Sequence, residues 1–251
     1  MPAPKYFTSW SFSRYWDWNQ CPAKANWKYI VKLKTPEMTQ RDADLRSGKL
    51  PPGPLERGAE IADQAKNYLK GKIKQVPAYL MPVATVYREL KKKGSQLTVE
   101  DSWGFTKQWM PCSPTDWDRC WLRITIDVAF AEPLPKNEGE GDILHIRDNK
   151  SGKFDERKAI EYQEQLELYG AAGFCKYPTV QAVDAQLIYS DLGILHPKVP
   201  MKFSVDELPL LQRAWEKRVR PMMNDRRFPP RPGYYCRWCD FSKARGGPCK
   251  F

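Results

Sequence analysis

Long apolar runs are missing from this sequence. No stretch approaches the eighteen or so consecutive apolar residues of a membrane-spanning helix, so no membrane association is expected. The segment Met1 to Trp10 likewise lacks the apolar core of a secretory signal, and a cytosolic location follows as the expectation. Acidic residues are in deficit. Against 41 Lys and Arg stand 30 Asp and Glu, and the resulting net charge of +11 with a pI near 9.3 favours a polyanionic partner. No internal repeat is present. The seven cysteines are an odd number, and in a reducing compartment they point to metal ligands or buried thiols before disulfides.

What is present suffices for a sizeable core: 251 residues, 41% of them hydrophobic, with ten Trp. Residues 6–34 are dense in aromatics, Ser9 or Ser11 is placed to cap a first helix, and Cys21-Pro22 interrupts it. Residues 35–56 are polar and Pro-rich and read as a connector. Arg57 to Gly71 is a helix with Ile61, Ala62, Ala65, Tyr68 and Leu69 on one face, stopped by Gly71, and it is expected to pack on a sheet. A further helix is expected over Pro82–Lys93 and a strand with a turn over Gln96–Phe105. Then come strands at Trp121–Phe130 and Ile143–Gly152, a helix over 157–173 carrying Ile160, Leu166, Leu168, Ala171 and Ala172, and a strand at Val180–Tyr189. Val205–Met223 closes the series as an amphipathic helix. The alternation predicts an α/β fold, a mixed central sheet flanked by helices. The expected layout is an N-terminal helical segment and connector (1–56), a core (57–200), and a C-terminal helix with a cysteine-rich segment (201–251).

Two of these strands carry a chemical pattern. Asp127 ends one apolar run and Asp148-Asn149-Lys150 ends the next, with a polar Pro/Gly loop from Glu132 to Asp142 between them. Strands joined in this way can lie side by side and bring Asp127 to Asp148. Magnesium or manganese prefers oxygen ligands and keeps several waters, so two carboxylates and the main-chain carbonyl of Asn149 are enough protein ligands. Lys150, two residues after Asp148 on a strand, points to the same face and is placed to orient or deprotonate a water. Gln165 and Tyr169 lie four apart on the following helix. Phosphodiester hydrolysis needs this combination of a metal and a nearby cation.

These residues resemble the PD-(D/E)XK nucleases, and within them the RecB-like exonuclease branch with phage and CRISPR-associated members. Ile126-Asp127 matches the family's second motif, Asp148-Asn149-Lys150 with Ser151-Gly152-Lys153 its "DyKTGK" motif, and Gln165 to Tyr169 its "QxxxY" motif. The resemblance implies a restriction-endonuclease-like core with a metal-dependent DNA exonuclease activity in phage or bacterial replication, recombination or repair. It makes Asp127, Asp148, Lys150, Gln165 and Tyr169 the catalytic set, and Asp127, Asp148 and Asn149 the metal ligands. The expected partners are DNA, single-stranded or with a free end, a second copy of the chain, or a recombination or replication protein, in a bacterial or phage-infected cytoplasm. One position departs. Where the family's preceding helix carries a metal-binding His, this chain has Ala62, and neither His145 nor His196 matches the motif. Glu60 or Asp63 is a substitute only if it turns inward, and loss of the ligand opens the alternative of a catalytically weak DNA-binding or assembly protein.

Cys236, Cys239 and Cys249 fall within fourteen residues, and a Cys-x2-Cys pair can hold one edge of a metal or cluster, with Cys21 as the fourth sulfur. This too resembles the iron-sulfur subset of the RecB-like nucleases, which implies a 4Fe-4S cluster stapling the ends together. Zinc suits four thiolates equally, and a zinc-stabilised nucleic-acid-binding module is the third reading. Cys112, Cys120 and Cys175 read as structural thiols. Basic segments at Lys70–Lys74, Arg88–Lys93 and Arg213–Arg231, interspersed with aromatics, suit a single-strand channel.

Overall fold

The computed structural model describes residues 5–152, 155–195 and 201–251. The chain divides into two compact units: Met1–Pro52 with Glu216–Phe251, and Gly53–Trp215.

In the first unit, α1 (Phe12–Gln20) begins where Ser11 accepts the Arg14 amide and stops at Cys21, whose extended backbone leads into α2 (Pro22–Ala25). A wide turn, Asn26–Val31, follows and ends at Lys32 in the left-handed region, φ 55°. The expected connector is in part a helix. The segment Pro36–Arg46 forms α3, because Thr35 accepts the Met38 amide at 3.2 Å and Pro36 occupies the first helical position, where its missing N–H costs nothing. Nothing in α3 is buried, so it carries no apolar stripe to betray it in the sequence.

The second unit opens with α4 (Pro54–Leu69) and, after a 3₁₀ turn at Ala78–Val83, α5 (Ala84–Lys92). Pro82 lies in that turn rather than in the helix. Seven strands then form one sheet: β1 (Thr98–Phe105), β2 (Pro111–Cys112), β3 (Leu122–Pro133), β4 (Asp142–Lys150), β5 (Val180–Tyr189), β6 (Ile194–Leu195) and β7 (Met201–Ser204). Their order is β2-β1-β3-β4-β5-β6, with β7 also on β5. All pairings are antiparallel except β4 with β5, which α6 (Ala159–Lys176) connects as a crossover. The sheet is therefore mixed. The last helix, α7 (Leu208–Asn224), belongs to this unit through Trp215.

Alternation decides which face each side chain serves. Ile61, Ala65 and Tyr68 of α4 and Tyr87 and Leu90 of α5 pack with Val99, Val128, Phe130 and Ile188 of the sheet. α6 lies against the other face, and small residues let it come close. A Cβ on Gly173 would stand 2.7 Å from Leu144, and one on Gly170 2.7 Å from Phe203. Ile160, one of the apolar residues of α6, is 66% exposed, in a first turn where nothing is buried, whereas Leu166, Leu168, Ala171 and Ala172 are buried. On the α5 face of β4, Arg147 and His145 both reach the buried Asp184 of β5, at 2.7 and 3.0 Å. His145 thus faces away from Asp148 and serves packing, stacking on Phe130.

Candidate functional site

The register of β3 on β4 ends at Val128 opposite Arg147, and the next residue on each strand is Asp127 and Asp148, close enough for each carboxylate to feel the other. Backbone pairing gives way here to a side chain, since Asp127 Oδ2 accepts the Asn149 amide at 2.8 Å. The Asn149 side chain is held by Tyr87, whose hydroxyl donates to its Oδ1 at 2.6 Å. Lys150 places its ammonium 2.6 Å from Asp148 Oδ2 and donates to Gln165 Oε1 at 3.0 Å. Gln165 Nε2 in turn donates to the Tyr169 hydroxyl at 2.7 Å, and that hydroxyl donates to Asp148 Oδ1 at 3.2 Å. The structure thus gathers Asp127, Asp148, Asn149, Lys150, Gln165 and Tyr169 into one network. Lys153 and His196 lie outside the described residues.

The electrostatics are those of two carboxylates sharing one cation. Burial first, and the neighbouring Asp148 second, push the Asp127 carboxyl up to about 7, against the opposing pull of the Asn149 amide and Lys150. Burial by itself would lower Lys150, but Asp148 and then Asp127 outweigh it and hold the ammonium above its ordinary value. Burial and the same two carboxylates raise the Tyr169 phenol, which therefore stays a donor. Asp148 Oδ2 is buried and has the Lys150 ammonium beside it but receives no well-directed hydrogen bond. A buried carboxylate pair with one under-used oxygen and too little positive charge fits a hard divalent cation.

Besides Tyr87, three groups at this site escaped the sequence reading. Glu100 sits on β1 across from Asp127, between the pairs Val99–Val128 and Asp101–Ile126, with φ 52°. A non-glycine residue in that region is strained, and its charge adds to the upward push on Asp127. The two successive acids Glu100-Asp101 inside a strand were the available signal. Tyr162 on α6 lies under the Lys150 ammonium at 5.0 Å from its ring centre. Asp191 joins two elements, taking both Arg57 guanidinium nitrogens at 2.7 and 2.6 Å and the Gly152 amide at 2.7 Å. That ties the start of α4 to the turn just after Lys150.

Ala62 lies on α4 beside two acids that do not replace a ligand. Glu60 accepts from Gln64 and Asp63 from Asn67, each one turn along the exposed side. Among the described residues, no three His, Cys, Asp or Glu gather as a metal-binding group. The cysteine-cluster expectation over Cys21, Cys236, Cys239 and Cys249 is therefore not shown by this arrangement, although all four belong to the first unit and are free. Burial raises the Cys239 thiol, and Cys21 and Cys249 are near enough to raise it further. Cys21 Sγ accepts the Arg231 amide and Cys236 Sγ the Gly233 amide, both at 3.4 Å. Cys112 and Cys120 are neighbours, and the Cys112 thiol is pushed up to about 11 by burial and then by Cys120. No helix among the described residues is long and apolar enough to cross a membrane.

A family model described as the PD-(D/E)XK nuclease superfamily matches residues 9–244. No curated protein matches the chain. Among solved structures, one described as "Crystal structure of SSO0001" is similar at 13% identity with a TM-score of 0.44, over 100% of this chain and 91% of that one.

Proposed function

The chain belongs to the PD-(D/E)XK nuclease superfamily, and from that premise we propose that it is a Mg²⁺- or Mn²⁺-dependent deoxyribonuclease acting from a DNA end. The observation that carries the reading is the closed network in which Lys150 is shared between Asp148 and Gln165 while Asp127 grips the Asn149 amide. Asp127, Asp148 and the main-chain carbonyl of Asn149 would hold the cation, which when bound polarises the phosphate and lowers the pKa of a water. The residues themselves do the rest. Lys150, kept charged by its two carboxylates, supplies a fixed positive charge beside the phosphate as negative charge develops there. Gln165 fixes the lysine's direction, and Tyr169 donates to Asp148 so that its carboxylate cannot rotate. Tyr87 locks Asn149, and through it the amide that orients Asp127.

An exonuclease in phage or bacterial replication, recombination or repair is the specific form we favour, by resemblance of the three motifs. In the same reading Cys21, Cys236, Cys239 and Cys249 hold a structural 4Fe-4S cluster. What supports it is the amide donors to two of the sulfurs and the closeness of Cys239 to Cys21 and Cys249. Brown protein with absorbance near roughly 400 nm, bleached by reduction, is the expected result, and colourless protein with stoichiometric zinc would overturn the cluster.

A second reading, a DNA-binding protein of weak or absent activity, is favoured by one observation: Ala62 occupies the motif position, and neither Glu60 nor Asp63 turns in to replace the ligand. One experiment separates the two. End-labelled single- and double-stranded DNA is incubated with the protein, with and without Mg²⁺ or Mn²⁺, beside Lys150→Ala. Metal-dependent shortening lost in the variant supports the nuclease, shortening that persists sinks the assigned site, and binding without cleavage in either metal supports the second reading.

A further inference from the structure

Exposed aromatic surface gathers at one turn near the C-terminus. Tyr234, Tyr235 and Trp238 are 56%, 59% and 52% exposed, on a five-residue 3₁₀ turn (Tyr234–Trp238) of which nothing is buried. The rings are ordered with respect to one another. Tyr234 and Trp238 meet edge to face with centres 4.8 Å apart, and Tyr235 meets Tyr234 in the same manner at 6.2 Å. Between them Arg237 lays its guanidinium 4.0 Å from the Tyr234 centre and 4.9 Å from that of Trp238. Hydrogen bonds hold the backbone beneath: the Cys236 amide donates to Gly233, and the Cys239 amide to Cys236, at 3.0 and 3.2 Å. A hydrogen-bonded turn that keeps three large rings in water gives up apolar burial without a reason in folding.

The charge around the turn indicates what covers it. Residues 226–251 contain seven Lys and Arg and a single acid, Asp240. That acid is already engaged by Arg245 and Arg41, whereas Arg237 faces only rings among the described residues. Cations interleaved with exposed rings answer to a ligand that alternates phosphates with flat, unpaired bases. A duplex offers the phosphates but hides its base faces in its own stack. We propose that the Tyr234–Trp238 turn is a stacking platform for single-stranded DNA, with Arg237 at a phosphate and the rings against successive bases. The proposal rests on the nuclease reading for its choice of DNA and names where on the chain a single strand is gripped.

The test uses the full chain in EDTA, so that nothing is cleaved, and labelled oligothymidine beside a duplex of equal length. The double variant Tyr234→Ala/Trp238→Ala should lose about tenfold or more in affinity for the single strand and little for the duplex. Its dependence on salt should match wild type, while Arg237→Ala should flatten the single-strand salt slope by about 0.7. Tyr234→Phe/Trp238→Phe, which keeps the faces, should retain binding. Because the alanine variant risks disturbing the neighbouring cysteines, wild-type protein is also photocrosslinked to 5-iodouracil-substituted single strands, and crosslinks are expected at residues 234–238. Single-strand affinity unchanged in the alanine variant, an equal loss for duplex, or crosslinks confined to other segments would each overturn the platform. The platform is read by binding in EDTA and the nuclease site by cleavage in metal, so loss of cleavage in Lys150→Ala bears on the nuclease reading and not on the platform.

Discussion

Replacing Asp127 by Asn should stabilise the metal-free protein while removing its activity. In the folded chain burial and Asp148 move this carboxyl from an ordinary 3.8 to about 7. The sign follows from proton binding. A folded state that holds its proton more tightly than the unfolded chain loses stability as pH climbs from near 4 to near 7, and the loss is complete above that. About 3 units at about 1.36 kcal/mol each sets a ceiling of roughly 4 kcal/mol for the penalty at pH 8. Asn removes the charge but keeps an oxygen for the Asn149 amide, which now lies 2.8 Å from Asp127. Denaturant unfolding in EDTA should therefore find wild type and variant nearly equal at pH 4 and the variant more stable by one to a few kcal/mol, on the order of the ceiling, at pH 8. Mn²⁺ at a hundred times its Kd should then close most of that gap, because it returns about 2.7 kcal/mol to wild type alone. A variant less stable than wild type at pH 8 in EDTA, or a difference that does not change with pH, would refute the reasoning.

Other perturbations separate chemistry from support. Lys150→Ala should cut single-turnover cleavage by about 10²–10³-fold, the usual loss for a charge-stabilising group, while Mn²⁺ still binds by calorimetry. Asp184→Asn should destabilise the sheet by about 3 kcal/mol at pH 7, since it strands the buried Arg147. Against burial, hydrogen bonds from His145 and Arg147 hold the Asp184 carboxyl below its ordinary range, so its contribution is present above pH 4 and fades progressively as pH falls from there toward the lower folded value. Thermal melts from pH 7 to pH 3 check both points. Asp191→Ala removes a partly exposed ion pair with Arg57, and solvent screening keeps that loss of stability small. Its larger effect should be on the loop: the Gly152 amide should exchange hydrogen faster, and the cleavage rate should fall with no matching loss of metal affinity. Tyr87→Phe should lower cleavage modestly while leaving DNA binding unchanged, because it frees Asn149 only.

Much of the core was legible because it obeys simple periods. Alternation located β3, β4 and β5, the 3.6 period located α4, and the two-residue step from Asp148 to Lys150 placed both on one face, where they meet at 2.6 Å. α3 was not legible, since a helix with no buried residue has no apolar stripe and is marked only by Thr35 and Pro36 at its start. Ile160 is the converse: an apolar residue of α6 that lies 66% exposed in the first turn, so apolar character alone did not mark the buried part of the helix. Asp191 carries no local signature, and Glu100 only the weak one of two successive acids inside a strand. Each acquires meaning from a neighbour, Asp127 across a strand pair in one case and Arg57 with Gly152 in the other.

The sequence by itself determined the kinds of group available and their spacing along each strand and helix: two carboxylates, a lysine, a Gln-x3-Tyr step, four outlying cysteines and a surplus of cations. Covalent geometry makes such spacings local and therefore readable. Only the tertiary structure decided which groups share a charge. The register of β3 on β4 puts Asp127 against Asp148, and close approach of α6 over Gly170 and Gly173 brings Gln165 and Tyr169 to Lys150. Burial then turns that proximity into a shifted proton affinity. A carboxyl's preference for its proton depends on what surrounds it in space, and no period in the chain encodes that.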